Sequence, residues 1–196
     1  DTMCTTGAAL AYFLRNLPIP VVLVGSQRSS DRPSSDGPRN ILYAARVAGY
    51  EDFAEVTVCM HGGTSDSYNL VHRAVRCRKM HSSRRDTFRT LDDIPLGKID
   101  DTGVTWFKQD IHPRTPREDF ILDTKIDTRV GMLYSYPGMN PDILDSMIDK
   151  GYHGIVIIGT GLGHVGTDMF PPLERCQQEE IPVVLVVEPL FGYIHL

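Results

Sequence analysis

Cysteine is scarce in this chain: Cys4, Cys59, Cys77 and Cys176 are spread over 196 residues. No C-x-x-C pair occurs, so a disulfide framework is excluded and a reducing cytosol is the default compartment. Cys59 and His61, then His72, Cys77 and His81, bring zinc-type ligands close in sequence. Without paired thiols, buried cysteines and surface histidines are the simpler account. Long apolar runs are also lacking. None approaches the ~20 residues of a membrane helix, and no secretory leader is visible in this stretch. A basic excess is missing as well. Twenty Lys and Arg against 25 Asp and Glu leave a net charge of -5, which argues against a dedicated nucleic-acid binder. Finally, no initiator methionine is present. The chain opens DTMCTTG and reads as a piece cut from something longer.

What is present suits a globular protein. A hydrophobic share of 41% and a charged share of 23% exclude wholesale disorder. The length allows one domain, or one and a part, with a sizeable core. Residues 1–16 read as a helix, with Asp1 or Thr2 at its cap and Leu10, Phe13 and Leu14 at helical spacing. Val21 to Val24 is a short unbroken apolar run, as in a strand covered on both faces. A polar loop follows, then Asp36 with Pro38 behind it marks a helix start, and that helix should close at Gly49. Residues 54–60 read as a strand, Ala74–Lys79 as a short strand, and residues 97–107 as a hairpin around Asp101-Thr102-Gly103. Residues 108–128 are charged, carry two prolines and lack periodicity, so they read as a linker. Beyond them the alternation resumes: strands near 129–136, 153–159 and 182–188, with helices after Pro141 and after the glycine-rich turn at 160–166. Strands and helices that alternate over short connections imply an α/β fold with largely parallel sheets. The expected division is residues 1–107, a linker at 108–128, and residues 129–196.

In such sheets ligands sit beyond the carboxyl ends of the strands. Three polar loops fall there: Ser26–Gly37, His61–Asn69 and Thr160–Gly166. They suit a small polar molecule, and equally suit plain solvated loops. Gly161, Gly163 and Gly166, with Glu188 at the end of the next strand, formally spell a dinucleotide fingerprint. Glycines in strand-to-helix turns also arise for steric reasons alone.

The stretch Val75–Phe88, VRCRKMHSSRRDTF, crowds Arg76, Arg78, Lys79, His81, Arg84 and Arg85 into an otherwise acidic chain. A phosphate or RNA patch is one reading, and an exposed basic strand edge is another. A third is catalytic. A lysine acts as a general base only when burial or neighbouring cations lower its proton affinity, and Lys79 has cationic neighbours. Strand alternation would put Arg76 and Arg78 on the face opposite Cys77 and Lys79. Asp1, at a helix N-terminus, would stay ionised there; it could hold a substrate ammonium or pair with a lysine, or act as a simple cap.

Together these residues carry a resemblance. DTM at the head of a helix, VVLVGSQRSSDRPSSDGPRN, and Lys79 upstream of Phe88-Arg89 resemble the bacterial-type L-asparaginase/glutaminase family. The stretch HGGTSDSYNLVHRAVRCRKMHSSRRDTFRTLDDIPLGKID, with IGTGLGHV and PLFGYIHL, looks like its tRNA-dependent branch, the D subunits of archaeal glutamyl-tRNA(Gln) amidotransferases. The resemblance implies an asparaginase-like α/β fold: a parallel-sheet N-terminal domain without its opening strands, and a smaller, truncated C-terminal α/β domain. It implies that a Thr hydroxyl attacks the side-chain amide of glutamine or asparagine and releases ammonia through an acyl-enzyme. A second Thr, an Asp and a Lys manage the protons. Asp1 and Lys79 match the catalytic Asp and Lys of that motif. Ser26 and Gln27 fall near the family's substrate pocket, and His164 falls where asparaginases carry a residue that reaches a neighbouring protomer's site. Both nucleophilic threonines lie upstream of Asp1 in the family, so this stretch alone is expected to be inactive. No cofactor is expected in the chain itself. The implied partner is the amidotransferase E subunit, which uses ATP and Mg2+ to activate Glu-tRNA(Gln), and a homodimer of D subunits is also implied. A free-standing L-asparaginase is the alternative.

Overall fold

The computed structural model of the protein describes residues 2–194, and the side chain of Tyr50 lies outside that description. The chain divides into two compact units, Asp1–Thr124 and Lys125–Leu196.

In the first unit, helix α1 (Met3–Phe13) runs directly into the two-residue strand β1 (Leu14–Arg15). Strand β2 (Val21–Leu23) precedes helix α2 (Gly37–Tyr50) and strand β3 (Val56–His61). Then come β4 (Asn69–Arg73), β5 (Cys77–Lys79), β6 (Phe88–Thr90), β7 (Gly97–Asp100), β8 (Gly103–Trp106) and β9 (Ile121–Leu122). The main sheet has the order β2-β3-β4-β7-β8. Only β2 and β3 pair in parallel; the other three pairings are antiparallel, so this sheet is mixed where the sequence pattern suggested a mainly parallel one. The physical reason is connection length. A helix links β2 to β3, whereas β3–β4 and β7–β8 are joined by short turns that can only reverse the chain.

All six residues of β3 are buried. Its alternate side chains serve two cores. Val56, Val58 and Met60 face a layer that includes Met3, Leu10 and Leu14 in and just after α1, together with Cys77 and Phe88. Cys59 faces Tyr43, Ala44 and Val47 of α2 together with Val71 and Ile99. The sheet is therefore sandwiched between helices, so both faces of β3 are covered, and its sequence VTVCMH is apolar apart from the buried Thr57 and His61. Helix α2 turns Asn40, Tyr43, Ala44 and Val47 to the sheet at i, i+3, i+4, i+7 spacing, and it passes through Gly49 to Tyr50. Pro38 lies in its first turn, where a missing N–H costs nothing.

The segment read as a linker begins on the first unit. The His112 carbonyl accepts from the Ala54 amide, the Thr115 amide donates to the Leu17 carbonyl, and β9 pairs with β1. The expected strand over Ala74–Lys79 is a 3-10 turn, Ala74–Arg76, leading into β5, which pairs only with β6.

The second unit is a three-stranded, all-parallel sheet. Strands β10 (Val130–Tyr134), β11 (Gly154–Gly159) and β12 (Val183–Val187) lie in that order. Helices α3 (Asp142–Asp149) and α4 (Phe170–Gln178) form the connections. Leu133, Leu144, Ile148, Ile155, Ile157, Met169 and Cys176 make the core. In β10 the alternation is strict: Gly131 and Leu133 are buried, while Val130, Met132 and Tyr134 are exposed. Among the described residues no helix is long and apolar enough to cross a membrane.

Candidate active site

The first unit holds a cavity of about 360 Å3 past the carboxyl end of the β2–β3 parallel pair. Its walls come from four places. Thr2, Met3 and Thr6 belong to the start of α1; Leu23, Val24, Gly25, Ser26 and Gln27 to the end of β2 and its loop. Met60 comes from β3, and Lys79 and Phe88 from the β5–β6 ribbon. The structure thus gathers three of the sequence-predicted residues, Ser26, Gln27 and Lys79, around one cavity with the N-terminus of a helix. That end of a helix presents free amides and the positive pole of its dipole, so it favours an anionic group of a small polar ligand. Asp1 lies outside the described residues. His164 belongs to the second unit, where it lines a cavity of about 340 Å3 with Ser135, Tyr136, Thr160 and Asp168. A larger cavity of about 530 Å3, beside Leu14, Leu17 and Val56, is mainly apolar, and its charged lining includes the Glu55–Arg73 ion pair, so the chemistry points to the smaller one.

Two buried aspartates that sequence reasoning did not assign to the site hold it in shape. Asp36, 1% exposed, does not cap α2 with its side chain. Its carboxylate reaches back across the loop and accepts from the amides of Gln27 (3.1 and 3.0 Å) and Arg28 (2.8 Å) and from Asn40 Nδ2 (2.9 Å). It therefore sets the backbone that carries Ser26 and Gln27. Burial pushes Asp36 up, but these donors outweigh it and hold the carboxyl below its ordinary range. Asn40 Nδ2 also donates to the Gly25 carbonyl at 2.9 Å, which leaves Asn40 Oδ1 to accept from Asn69 Nδ2 (2.8 Å) and His61 Nδ1 (2.6 Å). The other ring nitrogen of the buried His61, Nε2, lies 2.9 Å from Asp66 Oδ1, so the imidazole bridges Asn40 and Asp66.

Asp86 does the same for the lysine. It is 6% exposed and takes a bidentate fork from Arg84 (2.9 and 2.8 Å) and a further bond from Arg89 (2.7 Å). The Arg84 fork outweighs desolvation and holds Asp86 below the usual carboxylate range. Thr87 Oγ1 bonds the His81 amide (2.6 Å) and carbonyl (2.5 Å), and His81 Nδ1 accepts from the amides of Ser83 and Arg84. Arg85 bonds the Ser34 carbonyl and lies 3.4 Å from Asp66. Gln27 Nε2 donates to the Arg84 carbonyl at 3.0 Å, joining the loop after β2 to the loop after β5. Arg84, Arg85 and His81 thus bond other groups of the protein around the turn behind Lys79, although Arg84 and His81 remain exposed. Arg78 is exposed between the buried Cys77 and the half-buried Lys79, as strand alternation requires.

The other candidate chemistries dissolve into local causes. Among the described residues no three His, Cys, Asp or Glu side chains gather as a metal site. His72 is fully buried, bonds Thr90 Oγ1 through Nδ1, and is pushed down to about 3 by desolvation, so it is neutral core. The glycine-rich turn is steric. A Cβ on Gly159 would lie 2.6 Å from the backbone of Gly163, and Gly163 itself has φ +108°. Glu188 donates its amide to the Gly159 carbonyl, so it closes the turn from the β12 side.

Fold and cavity together describe an α/β protein with a lysine-lined cavity past the ends of two parallel strands. Residues 1–112 match the family described as Asparaginase, N-terminal, and residues 129–196 match the glutaminase/asparaginase C-terminal domain, so the chain belongs to the asparaginase/glutaminase family. It is 48% identical over its whole length to the D subunit of the glutamyl-tRNA(Gln) amidotransferase of Pyrococcus furiosus and 46% identical to that of Sulfurisphaera tokodaii. In both cases it spans 44% of the relative's length. Among solved structures it superposes on the thermostable L-asparaginase of Thermococcus kodakarensis with a TM-score of 0.86, at 27% identity, covering 100% of this chain and 56% of that one. The probable cytoplasmic L-asparaginase of Campylobacter jejuni gives 0.82 at 25% identity, with 100% and 63% covered.

Proposed function

We propose that this chain is the lysine-bearing portion of an amidase that releases ammonia from the side-chain amide of glutamine or asparagine. In the whole protein that ammonia converts Glu-tRNA(Gln) to Gln-tRNA(Gln). The observation that carries the reading is the cavity that joins Lys79, Ser26 and Gln27 to the first turn of α1. Similarity along the full chain to amidotransferase D subunits supports the tRNA-dependent branch.

In this reading a Thr hydroxyl supplied from outside the stretch attacks the amide carbonyl. Lys79, with Asp1 and a second Thr, takes and returns the proton, so that the amide nitrogen leaves as ammonia and water clears the acyl group. The hydroxyl of Ser26 and the loop around Gln27 orient the substrate's polar end, and Asp36 holds that loop in place before substrate arrives. The amidotransferase E subunit, working in the cytoplasm with ATP and Mg2+, activates the tRNA-borne glutamate. A homodimer of D subunits is part of the same proposal, and it is the setting in which His164 would act at a neighbouring site.

The test uses the full-length protein. Ammonia release from glutamine and from asparagine is measured with and without the E subunit carrying Glu-tRNA(Gln). The expected outcome is weak release alone and a rise with the loaded partner. In Lys79→Ala a loss of about 10^2- to 10^4-fold is expected, the usual contribution of a positioned proton-transfer group. Rapid release from asparagine that ignores the partner would instead identify a free-standing L-asparaginase. A fully active Lys79→Ala protein would remove the lysine from the mechanism.

A further inference from the structure

Two of the four cysteines meet beside the lysine. Cys4 sits in the first turn of α1 and Cys77 opens β5, 73 positions later, and their Sγ atoms lie 3.9 Å apart. Both are free thiols. They pack in one cluster with Met3, Met60 and Phe88, and those three residues also line the Lys79 cavity. Cys77 and Lys79 are two residues apart on the same strand, so they share a face. The pair therefore joins two walls of the candidate active site, the helix N-terminus and the lysine strand.

The two sulfurs are not equivalent. Cys4 is partly accessible, while Cys77 is buried. The hydrogen bond with the Cys77 thiol lowers Cys4 to about 7, against the opposing effect of burial; the Lys79 amide and the Lys79 charge lower it further. Cys77 is pushed up by the same contact and by its burial. A thiol near 7 in the first turn of a helix is a nucleophile at neutral pH, and a buried thiol in contact with it is placed to resolve what it forms.

We propose that Cys4 and Cys77 form a reversible thiol-modification site that takes a small-molecule disulfide of the glutathione type and closes into an internal disulfide on the wall of the Lys79 cavity. In the first step the Cys4 thiolate attacks one sulfur of the reagent. The reagent's S–S bond breaks, a mixed disulfide forms on Cys4, and the departing thiolate takes up a proton. In the second, Cys77 gives up its proton and attacks Cys4 Sγ, expelling the second thiol. The protein dithiol loses two electrons, and the disulfide reagent gains them as two thiols. Closure draws the first turn of α1 towards β5, so the cavity narrows and substrate access is lost until a reductant reopens it.

The test treats the reduced full-length protein with glutathione disulfide, then quenches by alkylation in denaturant and maps the peptides. The expected result is one cross-link, Cys4 to Cys77, with Cys59 and Cys176 still thiols. Cys77→Ser should stop at glutathione on Cys4, and Cys4→Ser should react at least ~10-fold more slowly than the parent protein. The proposal is overturned if the wild-type map shows no such cross-link, or if glutathione stays on Cys4 while Cys77 remains reduced. Loss of ammonia release on closure, restored by dithiothreitol and absent in Cys4→Ala, rests on the amidase reading; the peptide map does not. A protein that forms the cross-link but releases no ammonia even when fully reduced would sink that reading and leave the modification site standing.

Discussion

At the residue scale, the candidate site is shaped by buried carboxylates that do not line its cavity. Asp36 answers two amides and one side-chain amide from a buried position. Removing it leaves those donors without partners, and each such loss costs on the order of 1–3 kcal/mol. Asp36→Ala is therefore expected to lower unfolding free energy by at least about 3 kcal/mol in urea denaturation. It should also raise KM through the loosened Ser26–Gln27 loop. An unchanged denaturation midpoint would show that water replaces the carboxylate without cost. In sequence, Asp36 reads as a helix cap because Asp before Gly-Pro is a helix-start pattern. Its actual partners lie eight and nine residues back, at a distance that only the folded loop closes. Asp86 was hidden differently: within a run of arginines a single aspartate looks incidental until two of them fork onto it.

At the scale of elements, the turn after β11 shows how shape and composition mislead each other. Gly161, Gly163 and Gly166 formally match a dinucleotide fingerprint, yet the turn is a tight reversal in which Thr160 and His164 form a bridge. Gly159→Ala would drive a methyl group to 2.6 Å from the Gly163 carbonyl carbon. The expected cost is about 1–3 kcal/mol, as for an overpacked core, with a matching drop in thermal midpoint. A neutral substitution would mean that the turn yields easily and the glycines need another explanation. Strand β3 was legible because its six covered residues are rich in β-branched and apolar side chains, with only Thr57 and His61 polar. The short β5 was less so. Three residues carry too little pattern to separate a strand from the 3-10 turn before it.

For the molecule as a whole, the acid limb of stability follows from carboxylates held below their ordinary range. Glu55 is one: burial pushes it up, but the Arg73 guanidinium and the His112 amide outweigh that and keep it low. Asp36 and Asp86 are lowered for like reasons. A depressed folded-state value means that the native state binds protons less readily than the unfolded chain. The stabilisation is therefore complete above the unfolded carboxylate values near 4 and drains away as pH falls through the folded ones. Unfolding free energy should be flat with respect to these groups from about pH 5 to 7 and fall steeply below about pH 4. In Glu55→Gln that acid slope should be shallower. A slope unchanged in the variant would show that the Glu55–Arg73 pair persists in the unfolded chain. The α/β class was readable at this scale from alternating strand and helix patterns, while the antiparallel half of the first sheet was not.

By itself the sequence determined the class of fold and the two clusters of secondary structure, because period and turn chemistry are local properties; it offered Lys79, Ser26 and Gln27 as candidates, and the fold brings them to one cavity. It also carried the family, through stretches whose side chains recur together. Tertiary structure alone decided what the basic run is for and which thiols touch. The first depends on Asp86, Asp66 and the Ser34 carbonyl, and the second on Cys4 and Cys77 meeting across 73 positions. Contacts of that kind belong to no segment of the chain; they exist only once packing has brought distant segments together.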